Sequence, residues 1–259
     1  MALNKKINRY KHLIGDFKNW YTFIFYKIVG GDSITFKMRS GYQINVERRL
    51  THTFKENFFD KVYLSHLGES FTQAKRPTVI DIGAQVGFFS LSILTQKPEA
   101  KVLAYEPMPA NFKRLSEYKR EFEEFDWTLN HIAVAATNEP LVLYTNTLDG
   151  FSSRSSIFDK GDDKIKVEVP SITFDQIIAE HGLKKIDLLK LDCEGSEYPI
   201  LYNMGEEQFK LVDNLCIESH QGQGADENHH TLVNYLRQYN YQVEEQNNGD
   251  GTGYIWAIR

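Results

Sequence analysis

The stretch Val79 to Ser90, VIDIGAQVGFFS, restricts this chain more than any other feature. An apolar run ends at Asp81-Ile82, a turn carries Gly83 and Gly87, and a second apolar run opens behind it. That is a strand, a tight turn and a helix in succession. In doubly wound sheets, ligands sit at the carboxyl ends of the strands, where such turns lie. Glycine lets the backbone approach a ligand with no side chain between. Gly83 and Gly87, with Ala84 beside them, are the candidates for that approach. Asp81 can accept hydrogen bonds from a ligand or orient the loop.

From Pro77 onward, short apolar strands alternate with helical segments. Strands are expected at 78–82, 101–105, 127–134, 186–192 and 214–218, and helices at 88–96, 110–123, 197–210 and 228–238. Repeated strand–helix units predict a mostly parallel sheet covered on both faces. Residues 241–246 and 254–258 flank Asn248-Gly249-Asp250-Gly251 as a hairpin-like pair. The expected fold is therefore α/β: a doubly wound, seven-stranded, mostly parallel sheet over residues 76–259, with an antiparallel C-terminal edge strand. Two alternating runs, 140–145 and 165–169, flank the Ser-rich stretch Gly150 to Ser156 and read as an insertion hairpin within 137–170.

Residues 1–75 lack this alternation and read as an N-terminal cap of helices and a hairpin. Ile7, Tyr10, Leu13, Ile14, Phe17, Tyr21, Ile24, Phe25 and Ile28 recur at three and four, predicting a helix over 7–28. Residues 34–38 and 42–46 predict a hairpin around Ser40-Gly41, and 52–72 a second helix. The aromatic first helix is a candidate contact surface for a partner subunit, a substrate or a membrane, and makes a homodimer a reasonable expectation.

With 259 residues and 41% hydrophobic content, the chain can build one large core or a core with a small appendage. A net charge of -5 argues against a general nucleic-acid binder. Cys193 and Cys216 each sit in an apolar run and read as buried thiols. The N-terminus lacks the apolar core of a signal peptide. Trp20 to Val29 is too short to span a bilayer, which takes about 20 residues. A cytoplasmic chain with no transmembrane segment is expected.

The acid in the first turn selects among nucleoside ligands. A dinucleotide loop reads Gly-x-Gly-x-x-Gly because it cradles a pyrophosphate. A carboxylate there repels a pyrophosphate but suits a cationic sulfonium bearing an amino acid. Glu106-Pro107 ends the second strand 25 residues after Asp81, where an acid can grip both ribose hydroxyls. Asn130, His131 and Ala133 end the third strand and are placed to line an adenine pocket.

With those three strand ends, the chain looks like a class I methyltransferase. A second block narrows the match: VPSITFD over Val169–Asp175, then IDLLKLDCEGSE over Ile186–Glu197. This resembles the FkbM family of methyltransferases, marked by a TLD segment and an IDLLKIDVEGAE segment. The resemblance runs from about Pro77 to His220. Gln85 stands where the family usually has asparagine, and Phe174 where leucine is common. The resemblance implies transfer of a methyl group from S-adenosylmethionine, usually to a hydroxyl oxygen of a sugar, glycolipid or natural product. It assigns Asp81, Gly83, Gly87, Glu106 and Ala133 to the cofactor motif, and Asp192, Glu194 and Glu197 to the acidic block. Residues 1–75 fall outside it.

A hydroxyl acceptor needs a base or a metal ion. Asp192 ends the fourth strand, facing the expected cofactor cleft, and is a candidate for both cofactor contact and catalysis. Ser196 and Glu197 read as the start of the next helix, Ser196 as its cap. Glu218 and His220 end the fifth strand. His220, ordinarily titrating near neutrality, is the candidate base. Alternatively Asp192, Glu218 and His220 hold a divalent cation, Mg²⁺ or Mn²⁺, an analogy by location with catechol O-methyltransferase-like enzymes. The nonmetal site is the first choice. Two other readings remain: a nonenzymatic binding module that kept the fold, and a nicotinamide-dependent oxidoreductase, which the Asp81 loop disfavours.

Overall fold

Short apolar runs build the sheet. In order along the chain, the N-terminal elements are α1 (Ala2–Asp16), α2 (Trp20–Val29), β1 (Ser33–Lys37), β2 (Gln43–Glu47), α3 (Thr51–Phe58) and α4 (Glu69–Gln73). Then come β3 (Thr78–Ile82), α5 (Phe88–Leu94), β4 (Lys101–Tyr105), α6 (Pro109–Glu121), β5 (Trp127–Asn130), β6 (Ala133–Val134), β7 (Leu141–Thr145), β8 (Ile165–Val169) and β9 (Ser171–Ile172). The rest is α7 (Phe174–His181), β10 (Leu188–Leu191), α8 (Glu197–Tyr202), α9 (Glu206–Leu211), β11 (Asn214–Ser219), α10 (His229–Arg237), β12 (Gln242–Asn247) and β13 (Gly253–Ile258). This computed structural model describes residues 2–145, 157 and 165–259, with side chains from Ile7 onward. The Ser-rich stretch expected at the insertion lies outside the described residues.

The seven-stranded sheet has the order β12-β13-β11-β10-β3-β4-β5. Its five central and right-hand strands are parallel. The antiparallel pair forms its C-terminal side, with β13 against β11 and β12 outermost. β3 and β10 are buried along nearly their whole length, as expected for strands covered on both faces. Val79, Val102, Leu188 and Cys216 face α5, α6 and the N-terminal elements. Ile80, Leu103, Leu189 and Leu215 face the side of α7, α8, α9 and α10.

Parallel register positions the site. Ile82 is level with Tyr105 on one side and Leu191 on the other. The next residues, Gly83, Glu106 and Asp192, therefore emerge together at one rim. From β3 the chain steps outward to β4 and β5, then returns to the other side of β3 at β10, which makes this rim the switch point where α/β sheets bind ligands.

Four expected elements are broken by tertiary contacts. The helix expected over 7–28 is two helices. Phe17 leaves the helix to pair with Met38, and its ring packs between Phe36 and Phe59 at 5.3 and 5.5 Å. Asn19 then clamps the chain, donating to Thr35 O and accepting from Lys37 N. The helix expected over 52–72 breaks at Lys61, whose φ is +48°, so that a 3-10 turn at Val62–Leu64 reaches the ends of β10 and β11. The strand expected over 127–134 splits: β5 pairs with β4, while β6 pairs with β9. The helix expected over 197–210 divides into α8 and α9 around Asn203–Gly205.

Candidate active site

A cleft opens at the rim. Gly83 and Gln85 line it from the β3 turn, and Glu106, Pro107 and Met108 from the end of β4. Asn111 of α6, Ala133 and Val134 of β6, and Leu141 and Leu143 of β7 form an opposite wall. Asp192, Cys193, Glu194 and Ser196 close it from β10.

The two loop glycines serve different contacts. At Gly83, φ is +77° and a Cβ would overlap the Asp192 carbonyl oxygen, so only glycine lets the β3 and β10 ends approach. Gly87 is buried; a Cβ there would overlap Leu115 and meet Trp127. Its smallness serves packing against α6 and β5, and it does not line the cleft.

Glu106 is 4% exposed. Its Oε1 accepts from Met108 N at 2.9 Å and Asn111 Nδ2 at 3.2 Å, and its Oε2 accepts from Gln85 N at 2.8 Å. Burial pushes its pKa up to about 7, against the pull of the Met108 and Gln85 amides, the Asn111 side chain and the Lys190 charge. A carboxylate offers about four acceptor positions. Three are used, which leaves Oε2 able to accept from a ligand hydroxyl. Gln85, held at φ +53°, presents a buried Oε1 with no hydrogen-bond partner among the described residues.

Lys190 organises the β10 side, and the sequence reading missed it. It is 2% exposed, in the middle of an apolar strand. Register sets it opposite Asp81. Its Nζ lies 3.2 Å from Asp81 Oδ1, 3.5 Å from Asp192 Oδ2 and 2.7 Å from Gly83 O. Burial works against its charge, but the two carboxylates outweigh burial and raise its pKa above the ordinary lysine value. Asp81 is fully buried, accepts from Ser90 Oγ at 2.7 Å, and does not line the cleft. Of the two roles open to it, holding the loop is the one its contacts perform.

Tyr63, also missed, comes from the Val62–Leu64 turn. Its hydroxyl lies 2.9 Å from Asp192 Oδ2 and 2.7 Å from Glu218 Oε2. A phenol has one proton to donate. Both contacts can be hydrogen bonds only if a second proton is present. Burial and then the Asp192 charge push the Glu218 pKa up to about 7, against the Tyr63 hydrogen bond and His220. Neutral Glu218 can supply that proton.

His220, the expected base, sits between two carboxylates. Its Nδ1 lies 3.0 Å from Glu197 Oε1, and its Nε2 3.8 Å from Glu194 Oε2. Burial alone would lower its pKa, but Glu197, Glu194 and Asp192 overcome burial and push it up to about 10. A ring held protonated on both nitrogens would offer no lone pair, which argues against His220 as base or metal ligand. Fully buried Glu197 also accepts from Cys193 N and Gly195 N, fixing the turn after β10. Ser196, expected as a helix cap, makes no cap bond and lines the cleft instead. The expected cation set of Asp192, Glu218 and His220 does not form. Among the described residues, no group of three or more His, Cys, Asp or Glu gathers to hold a metal ion.

Of the other sequence candidates, Gly83, Glu106, Pro107, Ala133 and Asp192 line the cleft, whereas Ala84, Asn130 and His131 do not. Asn130 donates to Ala104 O, and exposed His131 stacks on Phe112 with ring centroids 4.5 Å apart.

The FkbM-domain methyltransferase profile matches residues 81–243. The chain belongs to the FkbM methyltransferase family. Methyltransferase sdnD of Sordaria araneosa is 26% identical over 195 residues, covering 64% of this chain and 75% of that relative. The 31-O-demethyl-FK506 methyltransferase FkbM of Streptomyces tacrolimicus is 27% identical over 205 residues, covering 66% and 75%. A methyltransferase FkbM structure from Methylobacillus flagellatus KT superposes with a TM-score of 0.52 at 13% identity. The match covers 81% of this chain and 54% of that one, about half its length, and bears on the fold alone. Family membership makes this chain a methyltransferase and implies S-adenosylmethionine as donor.

Proposed function

We propose that this chain is an S-adenosylmethionine-dependent O-methyltransferase acting on a hydroxyl of a sugar, a glycan or glycolipid, or a glycosylated natural product. One observation carries the reading. Two of the carboxylates lining the cleft stand at one level, Glu106 fixed by N–H donors and Asp192 fixed by a cation and a phenol.

The residues suit the donor. Glu106 keeps an acceptor position for ribose hydroxyls, and the unpartnered Gln85 Oε1 suits an amine or hydroxyl. Met108, Val134, Leu141 and Leu143 give an apolar wall for a purine. When bound, S-adenosylmethionine supplies an electrophilic methyl carbon on a sulfonium. The acceptor hydroxyl must approach that carbon in line and lose its proton as its oxygen bonds to carbon, while the carbon–sulfur bond breaks and its electron pair leaves with a neutral thioether. Asp192 takes that proton. Lys190 and Tyr63 hold its carboxylate toward the cleft, and Lys190 balances its charge.

Calorimetric titration with S-adenosylmethionine, paired with methyl-transfer assays on a panel of glycosides, tests the proposal. Binding together with transfer to a hydroxyl supports it. A folded chain that does not bind the donor contradicts it.

A further inference from the structure

Helix α2, WYTFIFYKIV, is apolar on every side, which is the pattern of a helix with nonpolar surroundings on both faces. One face has such surroundings: Phe23 is 2% exposed, and Trp20 and Tyr26 pack on the core. The other face does not. Tyr21, Ile24, Phe25 and Ile28 form an i, i+3, i+4, i+7 stripe that is 41% to 79% exposed. Helix α1 adds Ile7, Tyr10 and Ile14, whose outer faces line an apolar groove with Lys11. Lys27 bridges the two helices, its ammonium 4.7 Å from the Phe23 ring centroid and 5.8 Å from that of Tyr10. Exposed apolar surface of this extent marks a contact site.

Charge selects the partner. Residues 1–55 contain eleven Lys and Arg against three Asp and Glu, whereas the remaining residues contain 19 against 32. Exposed Lys11, Lys18, Lys27 and Arg48 stand among or beside the apolar stripes. Lys27, Arg48 and Lys55 share a shallow hollow with Ile28 and Val29. A second copy meeting this face across a two-fold axis would bring basic surface against basic surface. An anionic bilayer instead supplies headgroups for the cations and acyl chains for the stripe. Among the described residues no helix is long and apolar enough to cross a membrane, so the contact is with the surface.

We propose that α1 and α2 dock on an anionic lipid bilayer, with Tyr21, Ile24, Phe25 and Ile28 among the acyl chains and the surrounding Lys and Arg at headgroup level. The proposal is independent of the reaction assigned to the cleft.

Sedimentation with vesicles of phosphatidylcholine, with and without roughly a third phosphatidylglycerol, tests it in about 0.1 M salt. The chain should prefer anionic vesicles by about tenfold or more, as expected from about 1 kcal/mol for each engaged cation. About 0.5 M salt should remove most of that preference. Phe25→Ser with Ile28→Ser should cut binding by about tenfold or more, from lost apolar insertion. Lys27→Glu with Arg48→Glu, on exposed side chains, should remove the preference for anionic lipid while the melting temperature stays within a few degrees of the parent. Failure to sediment with anionic vesicles overturns the proposal. So does equal sedimentation with both vesicle types, or a micromolar dimer that forms without lipid and is lost in Phe25→Ser with Ile28→Ser.

Discussion

Glu106 and Asp192 sit at the same rim, on strands flanking β3, yet their surroundings differ in kind. Glu106 is 4% exposed and, among the described residues, accepts hydrogen bonds from N–H donors alone, two of them backbone. Asp192 is half-buried and touches a cation and a phenol hydroxyl shared with a second carboxylate. Fixed backbone donors make a rigid acceptor, suited to holding a ligand. Asp192 is the more open of the two carboxylates and is oriented by Lys190 and Tyr63. On the proposed function, the contrast separates binding from chemistry across β3.

The largest expected effect falls on the chemical side. Asp192→Asn should lower turnover by about a hundred- to ten-thousandfold, the range for loss of a general base. Single-turnover methyl transfer at saturating donor checks this; near-parental rates would merge the two carboxylates into one binding role. Next is Lys190→Met, which leaves Asp81 buried without its cation. Removing one partner of a buried pair costs roughly 3–5 kcal/mol, and denaturant unfolding should show a fall of that order. Unchanged stability would mean that the loop does not depend on the Asp81–Lys190 pair.

A smaller effect is expected with pH. The folded chain raises the His220 pKa from the ordinary 6.5 to about 10. Below pH 6.5 both folded and unfolded chains hold the proton, and the His220 contribution is fully present. As pH rises toward 10 the unfolded chain has already lost it, so this stabilisation declines across that window. Urea midpoints measured from pH 6.5 to 10 should fall more steeply for the parent than for His220→Gln. Equal slopes would place a neutral histidine at the site and reopen its use as a base. The smallest effect is at Gln85. A non-glycine residue at φ +53° is strained by roughly 1–2 kcal/mol, less for asparagine. Gln85→Asn should therefore raise stability by up to about 1 kcal/mol, read by thermal melting.

The strand ends were legible because parallel register turns sequence order into spatial level. Gly83, Glu106, Pro107 and Asp192 reached the cleft for that reason, whereas Ala133 reached it from β6, outside the main sheet. Lys190 carried a readable signal: a lysine inside LLKLD, an otherwise buried strand, requires a carboxylate partner. Tyr63 carried none, because 129 residues separate it from Asp192 and only the break at Lys61 brings it there. The surroundings of His220 were not legible, because Glu197, 23 residues earlier, folds onto it. Periodicity ran unbroken through Phe17, where β-pairing with Met38 overrode it.

Titration of S-adenosylmethionine into Glu106→Gln and Asp192→Asn, side by side with the parent chain, tests the division most directly. Loss of a charged hydrogen bond, about 1.5–3 kcal/mol, should weaken binding to Glu106→Gln by roughly tenfold to a hundredfold. Asp192→Asn should bind within a few-fold of the parent. Equal weakening in both variants, or weakening in Asp192→Asn alone, would contradict the assignment of binding to the β4 end and proton removal to the β10 end.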